Sequence, residues 1–371
     1  MYRRIIQDNI KGRTLKGKAI VIIGARQVGK TTLIKTILDN KEYLFLDGDN
    51  PTIRESLSNI NFELLKTIIG KNKIIFIDEA QRIENIGLTI KMIIDQLDSI
   101  EVYVSGSSAF YLQNSINESL TGRKWEYELF PISWSEYEKK HGYLQSLQQL
   151  ENRIIYGFYP EVLNNVGDEQ IILKQLANSY LYRDILAFSG IRKPEVLEQL
   201  LKALAFQIGN EVSYNELSQV VGVDKATIAK YIRILEQSYI VFRLPAYSKN
   251  LRNEIKRNQK IYFYDTGIRN AIISNFTNLS MRNDKGALWE NFLISERQKQ
   301  NKYLENFTEM YFWRTKQQQE VDLVEINNDE ITGFEFKWEA KRKIKLPKTF
   351  TESYNAKSVI IDKNNFRDFI N

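Results

Sequence analysis

The chain contains no cysteine and a single histidine among 371 residues. The first absence removes disulfides, thiolate metal sites and cysteine nucleophiles. The second argues against a histidine metal cluster or a Ser-His-Asp triad; His141, beside Lys139 and Lys140, reads most simply as a solvated surface residue. Long apolar runs are missing too. The start, Met1-Tyr2-Arg3-Arg4, lacks the apolar stretch of a signal peptide, and no run approaches membrane-spanning length. A cytoplasmic protein with no membrane partner is the expectation. Charge of one sign is not in large excess: 52 Lys and Arg against 46 Asp and Glu give a formal +6, which permits a nucleic-acid partner without requiring one. With 43% hydrophobic and 26% charged residues, the composition is that of a globular protein long enough for about three domains.

What is present is organised around Gly24-Ala25-Arg26-Gln27-Val28-Gly29-Lys30-Thr31-Thr32. An apolar run, 19–23, precedes it, and apolar residues at helical spacing follow over 33–38, so the glycines sit in a strand-to-helix turn. In that context the pattern is a P-loop: all nine residues are candidates for binding a nucleotide phosphate. The glycines let successive N–H groups surround it, Lys30 reaches the β- and γ-phosphates, and the Thr31 hydroxyl holds Mg²⁺. ATP and Mg²⁺ are the expected cofactors.

The run 73–77 ending in Asp78-Glu79 reads as a buried parallel strand whose tip meets the P-loop. Asp78 is then a metal-shell acid, and Glu79 the group that polarises the attacking water. Further strands are expected at 43–46 and 102–104, with helices at 62–69 and 88–97, an alternation that implies a parallel sheet covered on both faces. After the fourth strand, Ser107 in Ser105-Gly106-Ser107-Ser108 is either a sensor of the γ-phosphate or simply a helix cap. Arg123, in Leu120-Thr121-Gly122-Arg123, suits a loop arginine entering a neighbour's site in a ring, with Arg183 as second choice; arginines are also ordinary surface ion-pair partners. Residues 133–189 read as mostly helical, broken at Gly157-Phe158-Tyr159-Pro160, with no evident chemistry.

Over 194–265 the pattern changes to helix 194–208, a helix begun by Ser213 and Glu216 and ending near Gly222, a third helix 225–237 capped by Asp224, then strands 240–244 and 260–264. This is winged helix-turn-helix order. The third helix would expose Lys225, Thr227, Lys230 and Arg233, with Ile228, Ile232 and Leu235 inward, and the following loop adds Lys249, Arg252, Lys256 and Arg257. Such a basic face fits a DNA phosphate backbone; it equally fits a protein-docking module with a solvated lysine-rich loop.

Two strands, 321–326 and 331–338, flank Asn327-Asn328-Asp329-Glu330. A tight turn at Asn328-Asp329 pairs Ile326 with Ile331 and sets Asp322 opposite Glu335; Lys337 shares the Glu335 face, and Phe334, Phe336 and Trp338 line the other. Opposed carboxylates repel by about 0.2–1 kcal/mol. A divalent cation held by Asp322 and Glu335, with Glu290 as third carboxylate and Lys337 orienting water, would make a nuclease site. Alternatively this is an ordinary solvated hairpin face, with Asp322 paired to Lys337.

The P-loop in this form, the Asp78-Glu79-Ala80-Gln81 tip, Leu120-Thr121-Gly122-Arg123 and Gly157-Phe158-Tyr159-Pro160-Glu161 together resemble the bacterial and archaeal AAA+ ATPases that carry a C-terminal domain of unknown function with a restriction-endonuclease-like core. The resemblance implies an α/β fold: a P-loop AAA+ parallel-sheet core (1–135), a helical lid or connector (136–192), a winged helix (193–278) and a PD-(D/E)xK nuclease-like domain (279–371) matched by Asp322, Glu335 and Lys337. It also implies nucleotide binding by Gly29, Lys30 and Thr31, hydrolysis through Asp78 and Glu79, and Arg123 as an arginine finger. The expected activity is Mg²⁺-dependent ATP hydrolysis in a homo-oligomeric ring, such as a hexamer, coupled to DNA binding or processing. The alternative is an ATP-controlled signalling or defence switch whose winged helix docks protein and whose nuclease-like domain is inactive.

Overall fold

The computed structural model describes residues 1–14, 17–97, 99–106, 119–186, 193–248, 259–339 and 345–371. Contacts divide it into two units: residues 1–132 with 237–239, and residues 133–236 with 240–371. Among the described residues, no helix is long and apolar enough to cross a membrane.

The first unit is built on a five-stranded parallel sheet in the order β2-β3-β4-β1-β5. Its strands are β1 (Ala19–Gly24), β2 (Leu44–Asp47), β3 (Ile74–Asp78), β4 (Glu101–Gly106) and β5 (Lys124–Leu129). Every residue of β1 and of β3 is buried, as expected for continuous apolar strands covered on both faces. Helices Lys30–Ile37, Phe62–Ile69 and Ile86–Gln96 cover the sheet between strands. One helix was not expected: Asp47-Gly48-Asp49-Asn50-Pro51 reads as a turn, yet Asn50 caps helix Pro51–Leu57, its side chain accepting from the Thr52 N–H, with Pro51 at the first helical position.

The second unit holds the helical connector and two sheets, and its first element is fixed by a complete capping box. Ser133 Oγ accepts from the Glu136 N–H at 3.2 Å, and Glu136 accepts from the Ser133 N–H at 3.0 Å, starting helix Trp134–His141. His141 is half-buried and stacks on Tyr137 with ring centroids 4.4 Å apart, so it is not the freely solvated residue expected from its lysine neighbours. Burial, Lys140 and Arg153 lower its pKa. The Gly157-Phe158-Tyr159 break between helices Leu150–Tyr156 and Pro160–Asn164 has a structural role: the Phe158 N–H donates to buried Asp265, which also caps helix Thr266–Ile272.

Helix Pro194–Phe206, β6 (Glu211–Val212), helices Tyr214–Val221 and Lys225–Gln237, β7 (Val241–Leu244) and β8 (Gln259–Phe263) follow in order, with an antiparallel sheet β6-β8-β7. The second sheet, β12-β11-β10-β9, has β9 (Glu309–Arg314), β10 (Glu320–Asn327) and β11 (Glu330–Phe336) antiparallel, and β12 (Lys357–Ile361) parallel to β11. One face packs Trp313, Val321, Val324, Leu346 and Phe350 into a core with Tyr247. Helix Lys285–Tyr303 lies among these elements, its Trp289 and Phe292 fully buried.

Asp284, just before that helix, ties down two buried arginines: Arg269 at 2.5 Å and Arg282 at 2.8 Å. Burial opposes its ionisation, but hydrogen bonds from Arg282 and Arg269 outweigh burial and hold its pKa at about 2 against an ordinary 3.8. A depressed carboxylate contributes stability above its unfolded pKa and loses it as pH falls through the folded one. Thermal unfolding from pH 5 to 2 should therefore show Asp284 contributing on the order of 1–2 kcal/mol near pH 5 and little at pH 2. The stability gap between wild type and Asp284→Asn should accordingly narrow over that interval; a gap constant with pH would contradict this.

Candidate nucleotide site and carboxylate cluster

The P-loop turn is set by three positive φ angles: 155° at Gly24, 58° at Gln27 and 94° at Gly29. At Gly24 a Cβ would lie 2.1 Å from the Leu129 carbonyl oxygen of β5, so the loop leaves the sheet where only glycine fits. Gly29 is the left-handed N-cap of helix Lys30–Ile37. Left-handed Gln27 and Gly29, just before the helix, turn the chain so that N–H groups can face an anion at the helix N-terminus. Ala25 and Val28 are buried, Arg26 is half-buried, and Gln27 and Thr32 are exposed. The buried Lys30 ammonium donates to the Gly24 and Ala25 carbonyls at 3.0 and 2.6 Å.

The tip of β3 meets the loop as expected. Thr31 Oγ1 donates to Asp78 Oδ2 at 2.8 Å, and Asp78 is 7% exposed. A hydroxyl and a carboxylate on adjoining elements are hard oxygen donors of the kind Mg²⁺ takes, so the residues fit that ion. Ser105, at the end of β4, also donates to Asp78. Ser105 was not singled out in the sequence, although a hydroxyl closing an apolar run at a strand tip is a visible signal; the expected Ser107 lies outside the described residues. Glu79 has φ 47°, a left-handed conformation unusual for a non-glycine residue, and its carboxylate accepts from Gln81 Nε2.

Arg4 is a second residue that sequence reasoning missed. Its guanidinium is 5% exposed and donates to Val28 O at 2.9 Å and Phe130 O at 2.7 Å, bracing the P-loop against the segment after β5. Nothing near Arg4 in sequence marks this. Arg4→Ala would leave buried carbonyls unsatisfied at a cost of about 1–3 kcal/mol. Fluorescent-nucleotide titration should show weaker ATP binding in Arg4→Ala than in Arg4→Lys; equal affinities would mean that the brace does not shape the loop.

Arg123 pairs with Asp95 at 2.6 Å and lies just before β5. The β1–β5 register runs from Ala19↔Lys124 to Gly24↔Leu129, so the six residue steps from 123 to 129, roughly 20 Å at strand rise, separate Arg123 from the P-loop end of the sheet. It cannot serve its own chain's loop. Arg183 lies on helix Glu169–Leu186.

In the second unit, Lys225, Lys230 and Arg233 are exposed on helix Lys225–Gln237, Thr227 is half-buried, and Ile228, Ile232 and Leu235 are buried. Thr227 is engaged by the cap, its N–H and hydroxyl both donating to Asp224. Lys249, Arg252, Lys256 and Arg257 lie outside the described residues.

The hairpin register is Ile326↔Ile331, and φ values of 47° at Asn328 and 67° at Asp329 make the tight turn. Against β9 the register shifts between Val321 and Val324, so Asp322 sits in a bulge that re-aims it. Asp322 does not take Lys337 as a simple partner: its Oδ2 accepts from the Phe336 N–H at 2.7 Å, and Lys337 pairs with Glu335 at 2.6 Å. Phe334 and Phe336 pack on Phe369; Trp338, beyond the end of β11, packs edge-on against Trp289 instead. Burial, then Glu290 and Glu335, push the Asp322 carboxyl well above its usual range, with Lys260 pulling the other way. Glu290 thus faces the hairpin carboxylates, but it is taken by Lys260 Nζ at 2.8 Å and the Tyr262 hydroxyl at 2.5 Å. Among the described residues no three His, Asp or Glu side chains are disposed to hold a metal ion. The resemblance's metal therefore does not fit this cluster as it stands.

Residues 16–138 match the AAA domain; residues 147–279 and 285–370 match two domains of unknown function, DUF8612 and DUF4143. By sequence the chain is similar to an uncharacterized protein of Methanocaldococcus jannaschii, 25% identical over 86% of this chain and 75% of that protein. It is also similar to uncharacterized proteins of Mycobacterium bovis and Mycobacterium tuberculosis, each 26% identical over 90% of this chain and 74% of the relative. By structure it is similar to a Walker-type ATPase of Pyrococcus abyssi, with TM-score 0.52 and 14% identity over 74% of this chain and 96% of that one, a likeness of fold. The first unit accordingly has the α/β P-loop fold of an AAA-like ATPase.

Proposed function

We propose that the chain is an ATPase that hydrolyses ATP with Mg²⁺ and couples the cycle to DNA through its second unit. The observation that carries the ATPase reading is the direct contact of Thr31 with Asp78 at the mouth of a positive-φ P-loop. Thr31 and Asp78 would hold the ion, whose chemistry is to neutralise charge on the β- and γ-phosphate oxygens. Lys30 and the N–H groups of 24–32 would bind and orient the phosphates, with Ser105 fixing the Asp78 carboxylate. Glu79 would accept a proton from the attacking water. A malachite-green assay of phosphate release, with Lys30→Ala as control, tests this; nucleotide binding without any turnover would sink the hydrolysis reading.

In a ring, Arg123, which stands apart from its own P-loop, would leave its Asp95 partner to reach a neighbour's site. Light scattering should show a mass increase with ATP and Mg²⁺ that Arg123→Ala weakens. The four-part division, with residues 193–278 as a winged helix and 279–371 as a nuclease-like domain, belongs to the same reading. Exposed Lys225, Lys230 and Arg233 on one helix support contact with phosphate backbone. Binding to duplex DNA should fall steeply as salt rises, and each lysine removed should lower the log–log slope by about 0.9. No binding at low salt would favour the protein-docking switch.

A further inference from the structure

Lys260 is the middle-strand residue of β6-β8-β7, opposite Glu211 and Leu244, and its side chain is 1% exposed. Its ammonium lies 2.8 Å from Glu290 Oε1 and 2.6 Å from Glu320 Oε1. Glu290 comes from helix Lys285–Tyr303, and Glu320 begins the strand that carries Asp322 two residues on. Strand alternation sends Tyr262 to the same face, where its hydroxyl donates to Glu290. The arrangement is held from behind: Asn291, next to Glu290, accepts from the Phe263 N–H and donates to the Phe263 carbonyl, both at 2.8 Å, clamping β8 to the helix.

We infer that Lys260 is the resident cation of the carboxylate cluster formed by Glu290, Glu320, Asp322 and Glu335, and that its ammonium excludes a divalent ion from a site those oxygens would otherwise make. Acidic side chains this close need a counter-charge when taken out of water. A divalent ion and an ammonium answer the same need, and here the chain supplies the ammonium from another sheet. Lys337 adds a second positive charge beside Glu335 from the hairpin side, and Arg314 a third at 3.7 Å from Glu320. With both lysines engaged, and β8 clamped to helix Lys285–Tyr303 through Asn291, the cluster as folded leaves a divalent ion no place. This inference is independent of ATP hydrolysis and concerns a different unit of the chain.

The test counts bound Mn²⁺ on the full chain without nucleotide, by the loss of the free-ion signal in electron paramagnetic resonance. Wild type and Asp322→Asn should bind the same number of ions, because the cluster takes none. Lys260→Gln should gain one Mn²⁺ per chain, at least about tenfold tighter than any wild-type binding, and Lys260→Gln combined with Asp322→Asn should lose it. Lys260→Arg, which keeps the charge, should gain nothing. If wild type binds one ion more than Asp322→Asn, the inference is wrong whether or not Lys260→Gln folds. It is equally wrong if Lys260→Gln keeps its circular dichroism yet gains no ion.

Discussion

Replacing Glu79 by glutamine should cut ATP turnover by about 10²–10⁴-fold while leaving ATP affinity within a few-fold of wild type. Glutamine has nearly the same shape and still accepts a hydrogen bond through its carbonyl, but it cannot take a proton from water. The position itself argues for a chemical role. Glu79 follows the buried β3, adopts φ 47° and keeps its carboxylate at the strand tip, beside Asp78. A non-glycine residue in the left-handed region costs of order 1–3 kcal/mol, and at 79 it directs the carboxylate to the end of β3 beside Asp78. Lys30→Ala should lose turnover through affinity instead, so the two variants separate phosphate binding from water activation. Steady-state kinetics together with nucleotide titration make the comparison; unchanged turnover in Glu79→Gln would move the proton-accepting role elsewhere.

Trp134→Ala should destabilise the second unit by about 3–5 kcal/mol, the range for deleting a fully buried large aromatic. Trp134 is 0% exposed and meets Phe158, Phe292 and Phe366 edge-on at ring-centroid distances of 6.3, 6.1 and 5.2 Å. These rings come from the Gly157-Phe158-Tyr159 break, from helix Lys285–Tyr303 and from the C-terminal helix Phe366–Ile370, so a single cavity loosens three segments. The indole N–H also donates to Glu138 at 2.9 Å. Trp134→Phe keeps most of the ring contact and gives up that bond, and it should cost clearly less. Urea unfolding followed by circular dichroism measures both; a loss below about 1 kcal/mol for Trp134→Ala would show that the aromatic cluster does not hold the unit together.

The geometry of the candidate nucleotide site was largely legible because its signals are local. A β-strand, a glycine turn and a helix are contiguous over 19–37, and the chemistry of the turn dictates residue types at fixed spacing. The hairpin register was legible for the same reason: Asn328 and Asp329 tolerate positive φ, and the two-residue turn then fixes every pair that follows. Helix Lys225–Gln237 could be bounded from its cap and periodicity. Ser105 shows where local reading was too coarse, since the choice among Ser105, Ser107 and Ser108 depends on how far β4 extends alongside β3.

The sequence by itself determined the P-loop turn, the acidic tip of β3, the pairing of β10 with β11 and the basic face of one helix, because each follows from backbone periodicity and turn chemistry within a short stretch. Only the tertiary structure decided that Arg4 braces a loop and a segment 126 residues away, that Arg123 stands at the far end of the sheet from its own P-loop, and that Lys260 enters the carboxylate cluster through a residue 30 positions on. An isolated lysine in an apolar strand carries a charge but no address. Its partner is chosen when burial removes water from several carboxylates at once, and the need for a counter-charge there is a property of the packed fold.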